Sequence, residues 1–163
     1  MKKLSIYLLG LLLFIACTPD EFVALEEPFT TQRMEGMVGT WTVEAVTMTD
    51  LGIKDINDPE REQDLTSLLS TDKLVFVFNS DGTFEIKSAE GAEAPNFIGL
   101  TGGEWSFNEE EGDYPTMVIL TQDGNQTLKL ASMPRPGHDL AVAYDRVVGG
   151  TPILTYTYEL TRN

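Results

Sequence analysis

The chain has little to build chemistry from: one cysteine, one histidine and only 11 basic residues against 26 acidic ones in 163 positions. A single cysteine cannot close a disulfide within the chain, so the fold must stand on its apolar core. The single histidine, His138, sits in the loop-like run Pro134-Arg135-Pro136-Gly137-His138-Asp139. In an extended stretch its neighbour Asp139 points to the other side, so adjacency makes no dyad. No nucleophile, base and metal set assembles elsewhere, and neither catalytic residues nor a cofactor are expected. The acids at Asp55, Asp58, Glu60, Glu62 and Asp64, and those in 109–113, lack the alternating spacing plus glycine of a calcium loop. They read as helix capping and as a solvated loop, so no metal site is expected. The formal charge of −15 excludes nucleic acid as a partner, because phosphate binding needs a basic surface. Nor is there an apolar run of the roughly 20 residues a membrane-spanning helix needs.

One shorter apolar run is present. Lys2 and Lys3 are followed by an apolar stretch over residues 4–16 that ends in the small residue Ala16, the layout of a secretory signal peptide. Phe14-Ile15-Ala16-Cys17 resembles a lipobox, in which the cysteine is acylated on its thiol and becomes the mature N-terminus. Phe14 departs from the leucine usual at that position. The resemblance implies a lipoprotein lipidated at Cys17 and held to the membrane through that anchor. Loss of Lys2 and Lys3 leaves nine basic residues against 26 acidic ones, a formal charge of −17. Such a domain is repelled by anionic headgroups, which leaves the membrane holding to the lipid.

Residues 18–31 are acidic, contain Pro19 and Pro28, show no helix or strand period, and read as a tether. Asp20 and Glu21 close behind the cysteine look like the acidic export signal of surface lipoproteins in Bacteroidetes-type bacteria. The expected location is the cell envelope, at the outer membrane or cell surface. Three parts follow: a signal peptide over 1–16, a lipid-anchored acidic tether over 17–33, and a folded domain over 34–163.

Beyond the tether, strands dominate. Thr31 is placed to cap a short helical turn through Met34, Met37 and Val38. Gly39-Thr40-Trp41-Thr42-Val43-Glu44-Ala45 alternates, with Trp41, Val43 and Ala45 on one face. Asp58-Pro59-Glu60 predicts a helix start with Leu65, Leu68 and Leu69 as its apolar stripe. Between residues 73 and 88, the loop Ser80-Asp81-Gly82 predicts a hairpin pairing Phe78 with Phe84 and Phe76 with Ile86. Asp123-Gly124 predicts a two-residue turn that sets Ile119 opposite Leu128 and Met117 opposite Leu130. Leu140, Val142 and Tyr144 alternate, Gly149-Gly150 turns the chain, and Leu154, Tyr156, Tyr158 and Leu160 share a face. About eight strands in hairpin order predict an all-β antiparallel meander with one short helix after the first strand. It closes as a barrel or, alternatively, packs as a two-sheet sandwich.

Gly39-Thr40-Trp41 after a short helical turn, with Arg162 at the end of the last strand, resembles a lipocalin-like domain. Phe78-Asn79-Ser80-Asp81-Gly82-Thr83-Phe84 and Gly103-Glu104-Trp105-Ser106-Phe107 are similar to bacterial lipocalin-like lipoproteins, a family largely of unknown function. The resemblance spans roughly residues 34–163 and implies a barrel in which Arg162 packs over Trp41. Disulfides of eukaryotic lipocalins are missing, and the helix follows the first strand, so ligand specificity does not transfer.

Under these pairings Phe76, Phe78, Phe84, Ile86, Trp105, Tyr156 and Tyr158 face inward. An eight-stranded barrel either fills its interior with such side chains or leaves room for one small ligand. The sequence therefore supports two readings. One is a noncatalytic binding module for a small apolar or amphipathic molecule. The other is a structural or interaction accessory of an envelope assembly, with a filled core. A cavity requires small inward residues, for which Ala45, Ala131, Ala141 and Ala143 are the candidates. Phe97, Ile98 and Leu100, in the long connection before Gly103, read as a lid over the barrel mouth or a cover on the core.

Overall fold

The computed structural model describes residues 28–69, 73–89, 94–108 and 115–163. The expected leader over 1–16, Cys17, the first part of the expected tether and the acidic run 109–113 lie outside the described residues. One helix, α1 (Pro28–Met37), precedes the strands β1 (Gly39–Asp50), β2 (Glu62–Asp64), β3 (Leu74–Phe78), β4 (Thr83–Ser88), β5 (Gly102–Phe107), β6 (Met117–Thr121), β7 (Asn125–Leu130), β8 (Leu140–Val148) and β9 (Thr151–Arg162). Every pairing is antiparallel. β1 and β3 to β9 follow one another in sequence order, and a β9–β1 pairing closes them into an eight-stranded barrel. The sandwich alternative is thereby excluded, since a closed sheet leaves no second layer. β2 is an extra strand on β1, pairing with Thr47–Thr49 where β3 no longer reaches.

The β3–β4 hairpin follows the turn chemistry. Phe78 pairs with Phe84 and Phe76 with Ile86, and Gly82 takes a φ of 84° at the end of the loop. Asp81 accepts the Thr83 hydroxyl at 2.7 Å and the Thr83 N–H at 3.0 Å. Those two bonds hold its carboxyl below the ordinary aspartate range. At the β8–β9 tip, Gly149 and Gly150 have φ of 60° and 82°, the pair of left-handed residues a two-residue hairpin needs.

The structure departs from the sequence expectations in three details and sharpens a fourth. First, the β6–β7 turn contains three residues, 122–124, because Thr121 pairs with Asn125. The register therefore sets Val118, not Ile119, opposite Leu128, and Met117 opposite Lys129. Val118, Leu120 and Leu128 are the buried set, since a one-residue slip exchanges faces. Second, β1 carries a bulge between Val43 and Ala45. The inward face runs Trp41, Val43, Val46, and Ala45 is set opposite Glu159 on the outside. Third, the α-helix is α1, and it begins at Pro28, a residue suited to the first helical position. Residues 28–33, read as tether, are helical. Fourth, the short helix after the first strand is a single 3₁₀ turn, Thr66–Leu69. Asp58 and Asp64 spend their side chains on local turns, accepting the N–H of Glu60 at 2.9 Å and of Thr66 at 2.8 Å.

α1 lies across one end of the barrel, where β1 begins and β9 finishes. Trp41 is fully buried there, pairs in register with Phe76 and with Arg162, and donates its indole N–H to the Met37 carbonyl at 2.9 Å. The Arg162 guanidinium carbon stands 5.4 Å from the Trp41 ring centroid, and its Nη2 donates to the carbonyls of Glu35, at 3.0 Å, and Val38. A cation thus serves the negative end of the α1 dipole and its unpaired carbonyls while covering an aromatic face. The Gly-x-Trp spacing has a steric cause: a Cβ at Gly39 would stand 2.9 Å from Arg162 Nε. Arg162→Ala is expected to cost about 1–2 kcal/mol in urea denaturation. In a double-mutant cycle the Trp41–Arg162 coupling should exceed about 0.5 kcal/mol, and strict additivity would refute the contact.

Candidate functional site

The end opposite α1 is bounded by the loop after β1, by residues 94–101 and by the β6–β7 and β8–β9 turns. All seven aromatic and aliphatic residues singled out in the sequence are buried inside the barrel: Phe76, Phe78, Phe84, Ile86, Trp105, Tyr156 and Tyr158. They divide into two groups. Near α1, Trp105 meets Phe78 and Phe107 edge-on at 5.5 Å each and donates its indole N–H to the Asn79 carbonyl at 3.1 Å. Nearer the opposite mouth, Tyr158 meets Phe76 edge-on at 5.6 Å, and Tyr156 lies beside it on β9.

The alanines decide how full the interior is. Ala45 and Ala141 face the exposed Glu159, Ala143 faces Lys129 and Thr157, and Ala131 is exposed. None of the four is on the inner face. Large side chains occupy the inward positions instead, with Trp41, Tyr158, Phe76 and Phe78 the bulkiest fully buried ones. The strands fill their own barrel.

At the mouth, however, the core is completed by residues that do not belong to strands. The Phe97 ring lies flat on Tyr156, with centroids 4.7 Å apart and 2° between planes, and Ile98 is buried beside it. Asn96 shapes this turn, accepting the N–H groups of Ile98 and Gly99 at 3.1 Å and donating to the Leu100 carbonyl. Gly99 adopts φ of 78°. Lid and cover, the two sequence readings of Phe97, Ile98 and Leu100, meet here: the turn closes the mouth and packs on the core.

Tyr158 is the anomaly beneath it. The residue has no exposed surface, and its hydroxyl has no hydrogen-bond partner among the described residues. The Phe97 backbone acts on the phenol oxygen as a donor, partly offsetting the effect of burial, and supplies no acceptor for the O–H proton. Burial, with the phenols of Tyr156 and Tyr144 nearby, pushes its pKa above the ordinary tyrosine value, so it stays a neutral O–H. Buried tyrosine hydroxyls ordinarily find partners. Parity alone placed Tyr158 inward; no sequence signal marks the missing partner.

A second concavity, about 670 Å³, lies at the α1 end between the helix and the β7–β8 loop, lined by Arg33, Glu35, Arg135 and His138 among others. His138 is exposed there, and no nucleophile lies among the residues lining it.

A closed eight-stranded antiparallel barrel with a helix across one end defines the class, an architecture compatible with a lipocalin-like fold. The chain belongs to the family described as Domain of unknown function (DUF5004), whose model matches residues 15–161. No curated protein and no solved structure matches it significantly.

Proposed function

We propose that this protein is a noncatalytic binding module of the bacterial cell envelope, lipid-anchored through Cys17, that takes a small apolar or amphipathic molecule at the barrel mouth. The observation that carries the reading is the buried Tyr158 hydroxyl, left without an acceptor among the described residues under a cover of non-strand residues. A polar atom enclosed by apolar walls is what orients a ligand in a mostly apolar site. Extracting the purified protein with organic solvent and analysing the extract by mass spectrometry tests this. A bound apolar compound is expected; protein that yields none, and that shows no calorimetric response to candidate lipids, would overturn the reading.

Anchoring rests on the Lys2-Lys3 start, the short apolar run and the Ala16-Cys17 junction. An origin in Bacteroidetes-type bacteria and a place at the outer membrane or cell surface rest on the acids behind the cysteine. The acidic domain then stands off the membrane on its tether, with α1 as the end nearest the anchor. Cys17→Ser is expected to abolish incorporation of an alkynyl fatty acid in growing cells while leaving the barrel folded, because Cys17 has no disulfide to make. Undiminished labelling of the variant would remove the anchor from the account.

One observation favours the accessory reading instead. Val147, Val148 and Ile153 at the β8–β9 tip are 53%, 57% and 39% exposed, and Ile56 in the loop after β1 is 74% exposed. Exposed apolar residues beyond a filled barrel suit a protein contact. Cross-linking in cells followed by partner identification distinguishes this from ligand binding.

A further inference from the structure

We propose that the turn carrying Phe97 and Ile98 is a displaceable plug, standing where an uncharged carbonyl compound with an apolar body of roughly ten carbons binds, its oxygen accepting the Tyr158 hydroxyl. The inference rests on the binding reading above and deepens it by naming the ligand class.

The wall of the barrel is thin beside this turn. β4 and β5 pair over three residues only, Thr83–Glu85 against Gly102–Glu104. Past that point β4 continues to Ser88 without β5 beside it, and residues 94–101 stand in for the missing strand. They are tied to β4 by the Ile86 N–H to the Thr101 carbonyl, 3.0 Å, and by the Ala94 N–H to Ser88 Oγ, 2.7 Å. A groove of about 390 Å³ runs along this seam, lined by Ile86, Ser88, Ala94, Asn96 and Thr101 among others. The turn is cross-linked mainly to itself through Asn96, so it can leave as a unit without unravelling.

The space it would vacate defines the ligand. Interiors are close-packed, so a guest must replace the volume of the Phe97 and Ile98 side chains, which sets its size. Tyr156 offers the flat face that Phe97 covers. Tyr158 offers an O–H with no acceptor among the described residues, so the guest supplies one. That acceptor is uncharged for an electrostatic reason. The one buried charged side chain among the described residues is Arg33, at the α1 end of the barrel. A carboxylate at Tyr158 would be buried with no cation beside it, in a chain already at −15. An ester, amide or ketone meets the hydroxyl without that cost.

The probes are methyl decanoate, decanoate and decane, titrated by calorimetry at neutral pH into the full-length chain carrying Cys17→Ser. Methyl decanoate is expected to bind at least tenfold more tightly than decanoate or decane. Tyr158→Phe should weaken the ester about tenfold, the value of one hydrogen bond made in a dry site, while raising Tm because a buried unpaired group is gone. Phe97→Ala should tighten the ester several-fold, the reverse of what truncating a lining residue does. Ester binding unchanged by Tyr158→Phe, or weakened by Phe97→Ala, overturns the plug while leaving the binding reading intact. No binding of the ester even to Phe97→Ala overturns the plug as well. The extraction experiment decides separately whether anything binds.

Discussion

Replacing Trp41 with alanine is expected to remove about 3–5 kcal/mol of stability, read as a lower urea midpoint with little change in slope. Two seams of the barrel meet at this residue, because it pairs with Phe76 on β3 and with Arg162 on β9. Its ring is wholly buried, so truncation opens a void that close-packed neighbours fill only in part. Its indole N–H also satisfies the Met37 carbonyl at the C-terminus of α1, and that carbonyl loses its partner in the variant. Arg162 loses the aromatic face it covers. Trp41→Phe retains most of the volume but not the N–H, and should cost less than half as much. A Trp41→Ala loss below about 1.5 kcal/mol would show that α1 and Arg162 seal the barrel without it.

Gly103→Ala is the second large effect, on the order of 3 kcal/mol, from a single added methyl group. Gly103 has φ of 151°, where a side chain is strained. A Cβ there would collide with the Thr121 carbonyl oxygen and stand 3.1 Å from Phe84 Cε1. Both obstacles are structural: Thr121 ends β6 beside β5, and Phe84 is the cross-strand partner of Gly103. Backbone cannot move aside as a side-chain tip would, so the variant must break the start of β5 or push Phe84 out of the core. Gly99→Ala makes a useful comparison. It also has positive φ but meets nothing within 4 Å, so it should cost only the conformational strain, about 1 kcal/mol. Equal losses at the two positions would mean that the Thr121 contact contributes nothing.

Legibility in the sequence followed the range of the forces involved. The β3–β4 hairpin was readable because its turn and its apolar pairing are set within a dozen residues and agree. The inward placement of Tyr156 and Tyr158 was readable by parity along one regular strand. Parity failed in β1, where one extra residue at the bulge moved Val46 inward and Ala45 outward. It failed again at β6–β7, where Asp123-Gly124 suits a two-residue turn but the native loop takes in Gln122 as well. The competing registers differ by one residue, and burial of Val118, Leu120 and Leu128 selects between them. Asp58-Pro59 signals a local turn, and the short helix after the first strand forms a few residues later, at Thr66–Leu69.

The candidate site divides the same way. Phe97 and Ile98 were recognisable as apolar residues in a glycine-containing connection, hence as a cover. That Phe97 stacks on Tyr156 and leaves the Tyr158 hydroxyl without an acceptor among the described residues depends on segments about 60 positions apart in the chain. No local pattern encodes that distance.

The order of residues already carries the layout: a short apolar run ending at one cysteine, an excess of acids, strands in hairpin order, and Gly39, Trp41 and Arg162 at positions that meet once the sheet closes. Those features are local, or follow from the two-residue period of a strand. Tertiary structure decided that the sheet closes, that the interior is full, and that the mouth is completed by a turn rather than a strand. These are volume and register questions, settled when side chains distant in sequence compete for the same space.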